Sequence, residues 1–166
     1  WNEASDGDGW IRLHRAQVQK LPPDTRALFR RYGLDTGFNQ ILGPVDIRFV
    51  TDADNFINHS CDPNLRYDSA GNVVAAHDIC KGEEVFIDYG FFAVNFDEPF
   101  ACACGARNCR GRIRRQDWKK LAATYGMNMP RFLHSRIATM KNERCERRAP
   151  QAQFAAGPTA ARASTG

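Results

Sequence analysis

Three cysteines within eight residues, Cys102-Ala-Cys104 followed after four residues by Cys109, constrain this chain more than any other feature. So short a span has no room for a long regular element. Cys102 and Cys104 are too close to bridge each other easily. No secretory signal opens the chain either, since Trp1 begins a polar, acidic stretch. Clustered thiolates outside an oxidising compartment read as metal ligands rather than as a disulfide framework. Zn²⁺ takes four ligands in a tetrahedron, and thiolate sulfur suits it. The cluster supplies three. Cys61, Cys80, Cys145 and the histidines are the candidates for the fourth.

The rest of the chain reads as a β-rich α+β domain around that clip. Pro22-Pro23-Asp24 is a helix entry. Residues 24–32 then place Ala27, Leu28 and Tyr32 near one face, with Gly33 as a stop. Gly37, Gly43 and Pro44 make 34–46 read as loop, and Ile47 to Val50 as a short strand. Leu65–Tyr67 and Val73–Ala76 flank Gly71-Asn72, the pattern of a hairpin. Glu84–Asp88 reads as another strand. Asp117 is placed to cap a helix over 118–125 that Gly126 ends, and a second helix is expected over about 130–145. From Ala149 onward almost no large apolar residue remains, so disorder is expected there. No apolar run approaches the roughly 18 residues a membrane span needs.

Three patterns follow one another: Asn58-His59-Ser60-Cys61-Asp62-Pro63-Asn64, then Gly82-Glu-Glu-Val-Phe-Ile-Asp88-Tyr89-Gly90, then the cysteine cluster with Arg110-Gly111 behind it. Together, over roughly residues 47–115, they resemble the SET domain and post-SET extension of protein-lysine methyltransferases. The resemblance implies short, mostly antiparallel strands in several small sheets. A pseudoknot would bring the Asn-His and Tyr segments together, and helices would pack outside. It divides the chain into an N-terminal polar segment with an insert-like helix (1–46), the C-terminal SET core (47–99), the post-SET zinc segment (100–116), a basic helical extension (117–148) and the tail (149–166).

The same resemblance assigns roles. Cys61 becomes the fourth zinc ligand beside Cys102, Cys104 and Cys109, clipping the post-SET loop to the core. Asn58 and His59 would bind the adenine end of S-adenosylmethionine, with Phe100 and Ile113 covering it. Tyr89 matches the catalytic tyrosine, next to the sulfonium methyl. Methyl transfer also needs a neutral lysine amine, although a free lysine titrates near 10.4, and a water-poor channel favours the neutral form. Ile87 stands two residues before Tyr89, where many relatives carry Phe or Tyr, so the degree of methylation is left open. The family's Gly-x-Gly donor segment has no counterpart before residue 47 beyond the bare spacing of Gly7-Asp8-Gly9. The expectation is therefore that the protein extends upstream of Trp1, and that this chain alone is inactive or unstable.

Charge points to partners. Residues 1–106 hold nine basic and 16 acidic side chains, whereas 107–148 hold 13 basic and three acidic. A basic half of this kind attracts nucleic acid or acidic protein surfaces. The leading expectation is an intracellular protein-lysine methyltransferase, nuclear if eukaryotic and cytoplasmic if bacterial, acting on proteins such as histones. The competing expectation is a SET-derived zinc module that has lost catalysis and binds through its basic half.

Overall fold

A computed structural model describes residues 9–97 and 99–146. The expected tail and most of Gly7-Asp8-Gly9 lie outside the described residues. The architecture is α+β, with one three-stranded sheet and three two-stranded ladders. The first sheet holds β1 (Trp10–His14), β2 (Leu34–Gly37) and β3 (Gln40–Pro44), ordered β1-β3-β2 and antiparallel. Residues 34–46 are therefore not the loop expected from their glycines. Asn39 takes the positive φ of 63° that turns β2 into β3. Gly43 is there for contact: a Cβ on it would lie 2.5 Å from Cδ1 of Phe29.

Two helices join β1 to β2, the single turn α1 (Arg15–Val18) and α2 (Pro23–Tyr32). Helix α2 runs where expected, with Pro23 in its first turn and Gly33 at its end. Its buried residue is Phe29, 3% exposed, while Ala27 faces solvent. The stripe of Ala27, Leu28 and Tyr32 missed it because Phe29 packs over a glycine, not over another helix. Ile47–Phe49 is a 3-10 turn rather than a strand, because the Asp46 carboxylate accepts from the Arg48 N–H and caps it.

Downstream, β4 (Asn58–His59) pairs in parallel with β7 (Phe86–Ile87), one parallel pair in an otherwise antiparallel set, as the mostly antiparallel expectation allows. The hairpin of β5 (Leu65–Tyr67) and β6 (Val73–Ala75) forms as expected, with Gly71 at φ 81° in its turn. Strands β8 (Phe100–Ala101) and β9 (Arg112–Ile113) close the base of the cysteine cluster.

Helices α3 (Asp117–Tyr125) and α4 (His134–Glu146) follow. Asp117 is the first residue of α3, not its cap, and α4 starts after a 3-10 turn over Arg131–Leu133. Trp118 and Ile137 from these helices and Leu133 from the 3-10 turn pack with Tyr67, Ile87 and Phe91 in the main core. Each fully buried side chain of this size is worth roughly 1.5–3 kcal/mol. Ile87 sits wholly inside this core, at 0% exposed. No helix among the described residues is long and apolar enough to cross a membrane.

Candidate active site and metal centre

Tyr89 is held at both ends by the segment that β7 pairs with. Its N–H donates to His59 Nδ1 at 3.1 Å, and its hydroxyl donates to the Ile57 carbonyl at 2.8 Å. The Asp88 carboxylate caps the 3-10 turn that starts at Tyr89 by accepting from the Gly90 N–H at 2.8 Å. Burial raises the Tyr89 pKa above that of a free phenol, so the hydroxyl stays protonated near neutrality.

The Tyr89 ring opens on a cavity of about 710 Å³. Ile57, Phe92, Phe96 and Phe100 are also in its wall. Ring centroids lie 5.5 Å from Tyr89 to Phe92 and 5.5 Å from Phe96 to Phe100, so the aromatics form a continuous lining. A second cavity of about 950 Å³ shares Phe92 but reaches neither Tyr89 nor His59. The smaller cavity is the one beside the Tyr89 phenol.

A clasp fixes the loop that carries Phe92 and Phe96. One oxygen of Asp35 on β2 accepts from the Val94 N–H at 2.6 Å and the Asn95 N–H at 2.8 Å. The Asn95 amide returns bonds to the Gly37 and Gln40 carbonyls and accepts from the Asn39 N–H. Asp97, further along, pairs with Arg15 and Gln19 of the α1 region. Burial dominates the titration of Asp35 and pushes its pKa up to about 6, against the lowering effect of the two N–H donors.

Cys61 and the cysteine cluster meet on the other side of His59. Cys102 Sγ lies 3.8 Å from Cys61 Sγ and 3.6 Å from Cys109 Sγ. Cys104 Sγ accepts the Cys61 N–H at 3.4 Å. Four thiolates at about 2.3 Å from one zinc ion stand about 3.8 Å apart, so the two separations from Cys102 fit that ion. Backbone N–H groups of Arg110 and Gly111 reach Cys61 and Cys109 at 3.4 Å each, as thiolates require. Burial and neighbouring thiols push Cys102 up to about 12, and burial raises Cys61. The N–H of Cys61 holds Cys104 down to about 6. Such a cluster ionises fully only around a cation.

His59 competes with Cys109 for a place in this group, since the donor atoms of His59, Cys61, Cys102 and Cys104 all lie within 4.8 Å. The hydrogen bonds separate them. His59 Nδ1 accepts from Tyr89, and burial lowers the ring's pKa. The neutral ring therefore carries its proton on Nε2, which points at Cys61 Sγ from 3.5 Å. A protonated nitrogen supports a thiolate and has no lone pair for a metal.

Arg110, next to Cys109, ties this lobe to the core. Its guanidinium forks onto Asp88 at 2.6 and 2.5 Å, and its Nε lies 3.4 Å from Asp117. Asp88 and Asp117 are 2% and 3% exposed. The Asp88 bond dominates in raising the Arg110 pKa further above its ordinary value. One cation thus neutralises two buried carboxylates, from the Tyr89 turn and from the start of α3.

Most of the expected site residues converge here. Tyr89, His59, Cys61, Phe100 and the cysteine cluster are neighbours. The Asn58 side chain instead turns outward to Glu84. Ile113 is 0% exposed and lies behind its ladder partner Phe100, which is 37% exposed. Cys80 stands apart and exposed. Sequence reasoning missed Arg110, Asp35 and Asn95. The signal for the first was an acid, Asp88, ending an apolar strand, which demands a cation from elsewhere. No local pattern marks the Asp35 clasp.

Residues 13–90 match the SET domain family model. The match reaches upstream of Ile47, through the first sheet, and ends before the cysteine cluster. Histone-lysine N-methyltransferase ASHR3 of Arabidopsis thaliana is 33% identical over 103 residues, which cover 57% of this chain and 20% of that protein. Probable histone-lysine N-methyltransferase set-23 of Caenorhabditis elegans is 35% identical over 74 residues, or 40% of this chain and 30% of that protein. Human histone-lysine N-methyltransferase 2B is 36% identical over 73 residues, or 40% of this chain and 3% of that protein. The chain therefore spans under a third of each of these relatives.

Proposed function

This chain carries a SET domain, and from that premise we propose that it transfers a methyl group from S-adenosylmethionine to the side-chain amine of a protein lysine. The observation that supports this most is Tyr89, pinned by His59 and Ile57 at the wall of an aromatic cavity. S-adenosylmethionine supplies a methyl group made electrophilic by its sulfonium. His59, the main chain at Asn58 and the exposed face of Phe100 would hold its adenine end, with Ile113 backing Phe100.

The chain's own groups do the rest. Because the Tyr89 hydroxyl spends its proton on Ile57, its remaining lone pair is free to accept from the amine and orient it. Phe92 and Phe96 line the lysine stem and exclude water, which disfavours the ammonium form. Cys61, Cys102, Cys104 and Cys109 would hold one structural zinc ion, with His59 supporting Cys61 from behind. That ion needs no part in the chemistry. Bound there, it would keep Phe100 against Tyr89 by holding the lobe in place.

The relatives are named for histone lysines, so a histone is the substrate class to test first. In a eukaryotic cell that substrate places the protein in the nucleus. The test is an assay of the protein on histones and donor, followed by mass spectrometry of lysine. Methylated lysine supports the reading. Donor binding without methylation of any lysine-rich protein would reject it in favour of an interaction module.

A further inference from the structure

Beyond the cavity, the largest feature left unused is electrostatic. Between Asp97 and Glu143 the described residues contain one acidic side chain, Asp117, and it is buried against Arg110. Arg107, Arg112, Arg114, Arg115, Lys119 and Lys120 all lie in this stretch, and all six are exposed. None makes an ion pair among the described residues. They follow one another along the cysteine loop, β9, the turn into α3 and the first turn of α3. Arg112 and Arg114 flank the fully buried Ile113, so period-2 alternation turns both outward. In α3, Trp118 and Ala122 face the core, which leaves Lys119 and Lys120 on the solvent side. The backbone beneath is held by the cysteine cluster and by the Arg110 fork, so the cations stand on a fixed base.

We propose that this face, Arg107 to Lys120, binds the phosphate backbone of double-stranded DNA. Four of the six cations are arginines, whose planar fork matches phosphate in a way a point charge does not. No large apolar side chain in the stretch is exposed; among the described residues the large exposed ones are confined to residues 11–56 and Phe100. A protein partner would need a buried apolar or aromatic anchor, and a membrane would need an apolar face to insert. Single strands would need exposed rings to stack on. What remains is a ribbon of positive charge whose run from Arg112 to Lys120 is roughly 20 Å long, by extended and helical rise per residue. Duplex DNA carries a charge about every 1.7 Å, so that length meets more than enough phosphates for all six cations. The choice of DNA rests on the lysine-methylation reading, because histones are wrapped in duplex DNA.

The test is fluorescence anisotropy of a labelled duplex with the full chain between 50 and 200 mM salt. Six phosphate contacts give a slope of log affinity on log salt of about −5. The triple variant Arg112→Gln, Arg115→Gln, Lys120→Gln should lower that slope by about three and weaken binding at least about tenfold. The matched variant Lys20→Gln, Arg26→Gln, Lys81→Gln should leave both unchanged. Zinc content and circular dichroism of each variant establish that it is folded. Absence of binding at 50 mM salt, an unaltered slope in the first variant, or tighter binding to single strands, acidic peptides or anionic vesicles would overturn the proposal. The assay uses neither donor nor lysine substrate, so its failure leaves methyl transfer standing, and failed methylation leaves DNA binding standing.

Discussion

Removing one oxygen from Tyr89 separates chemistry from packing. Tyr89→Phe keeps the ring against His59, Phe92 and Phe100 and loses only the bond to Ile57. The rate of methyl transfer should fall about 10–1000-fold with little change in donor affinity. Steady-state kinetics with separate donor binding measures both, and unchanged turnover removes Tyr89 from the mechanism. Asp35 makes a different prediction. Its pKa is raised to about 6, so the folded chain holds this proton more tightly than the unfolded chain does. Its charge therefore opposes folding above about pH 6, and the penalty fades as pH falls toward 4. Asp35→Asn keeps an oxygen for the Val94 and Asn95 N–H groups and removes the charge. It should stabilise the chain by about 1–3 kcal/mol at pH 8 and by nothing near pH 4. Denaturant melts at the two pH values decide this, and a gain that is equal at both would assign the effect to packing.

At the scale of elements, Arg110 joins three pieces: the cysteine lobe, the Tyr89 turn and α3. Arg110→Ala leaves two buried carboxylates without their cation and should cost about 3–5 kcal/mol. Arg110→Lys should recover part of that, because one point charge cannot fork across both acids. Thermal or denaturant unfolding of the two variants checks the order. This scale also marks what could be read from residues alone. The β5–β6 hairpin and helices α2 and α3 were legible, because turn residues, Pro23 and Gly126 act over a few positions. The first sheet was not. Gly37 and Gly43 look like breakers in isolation, and only the long-range approach of Phe29 explains Gly43. The Asp35 clasp was invisible for the same reason, since its partners lie some 60 residues away. At the site, the cysteines stood out because metal binding demands that residue type, whereas Tyr89 and His59 were legible only through the family resemblance of their motifs. The proton on His59 Nε2, which gives the ring its supporting role, needed coordinates.

At the scale of the molecule, folding the cysteine lobe onto the main core is what completes the aromatic cavity. Phe100 stands two residues from Cys102 and contributes a wall to that cavity. Removing zinc with a strong chelator should unfold residues 100–113, leave the main core intact, and weaken donor binding. Hydrogen exchange over that segment, read beside donor titration, checks the coupling, and donor affinity indifferent to chelation would break it. The most direct single measurement is X-ray absorption at the zinc edge of the purified, zinc-loaded chain. One tightly bound zinc ion with four sulfur neighbours at about 2.3 Å is expected. A nitrogen in that shell, fewer than four sulfurs, or a chain that retains no zinc would contradict the joining of Cys61 to Cys102, Cys104 and Cys109.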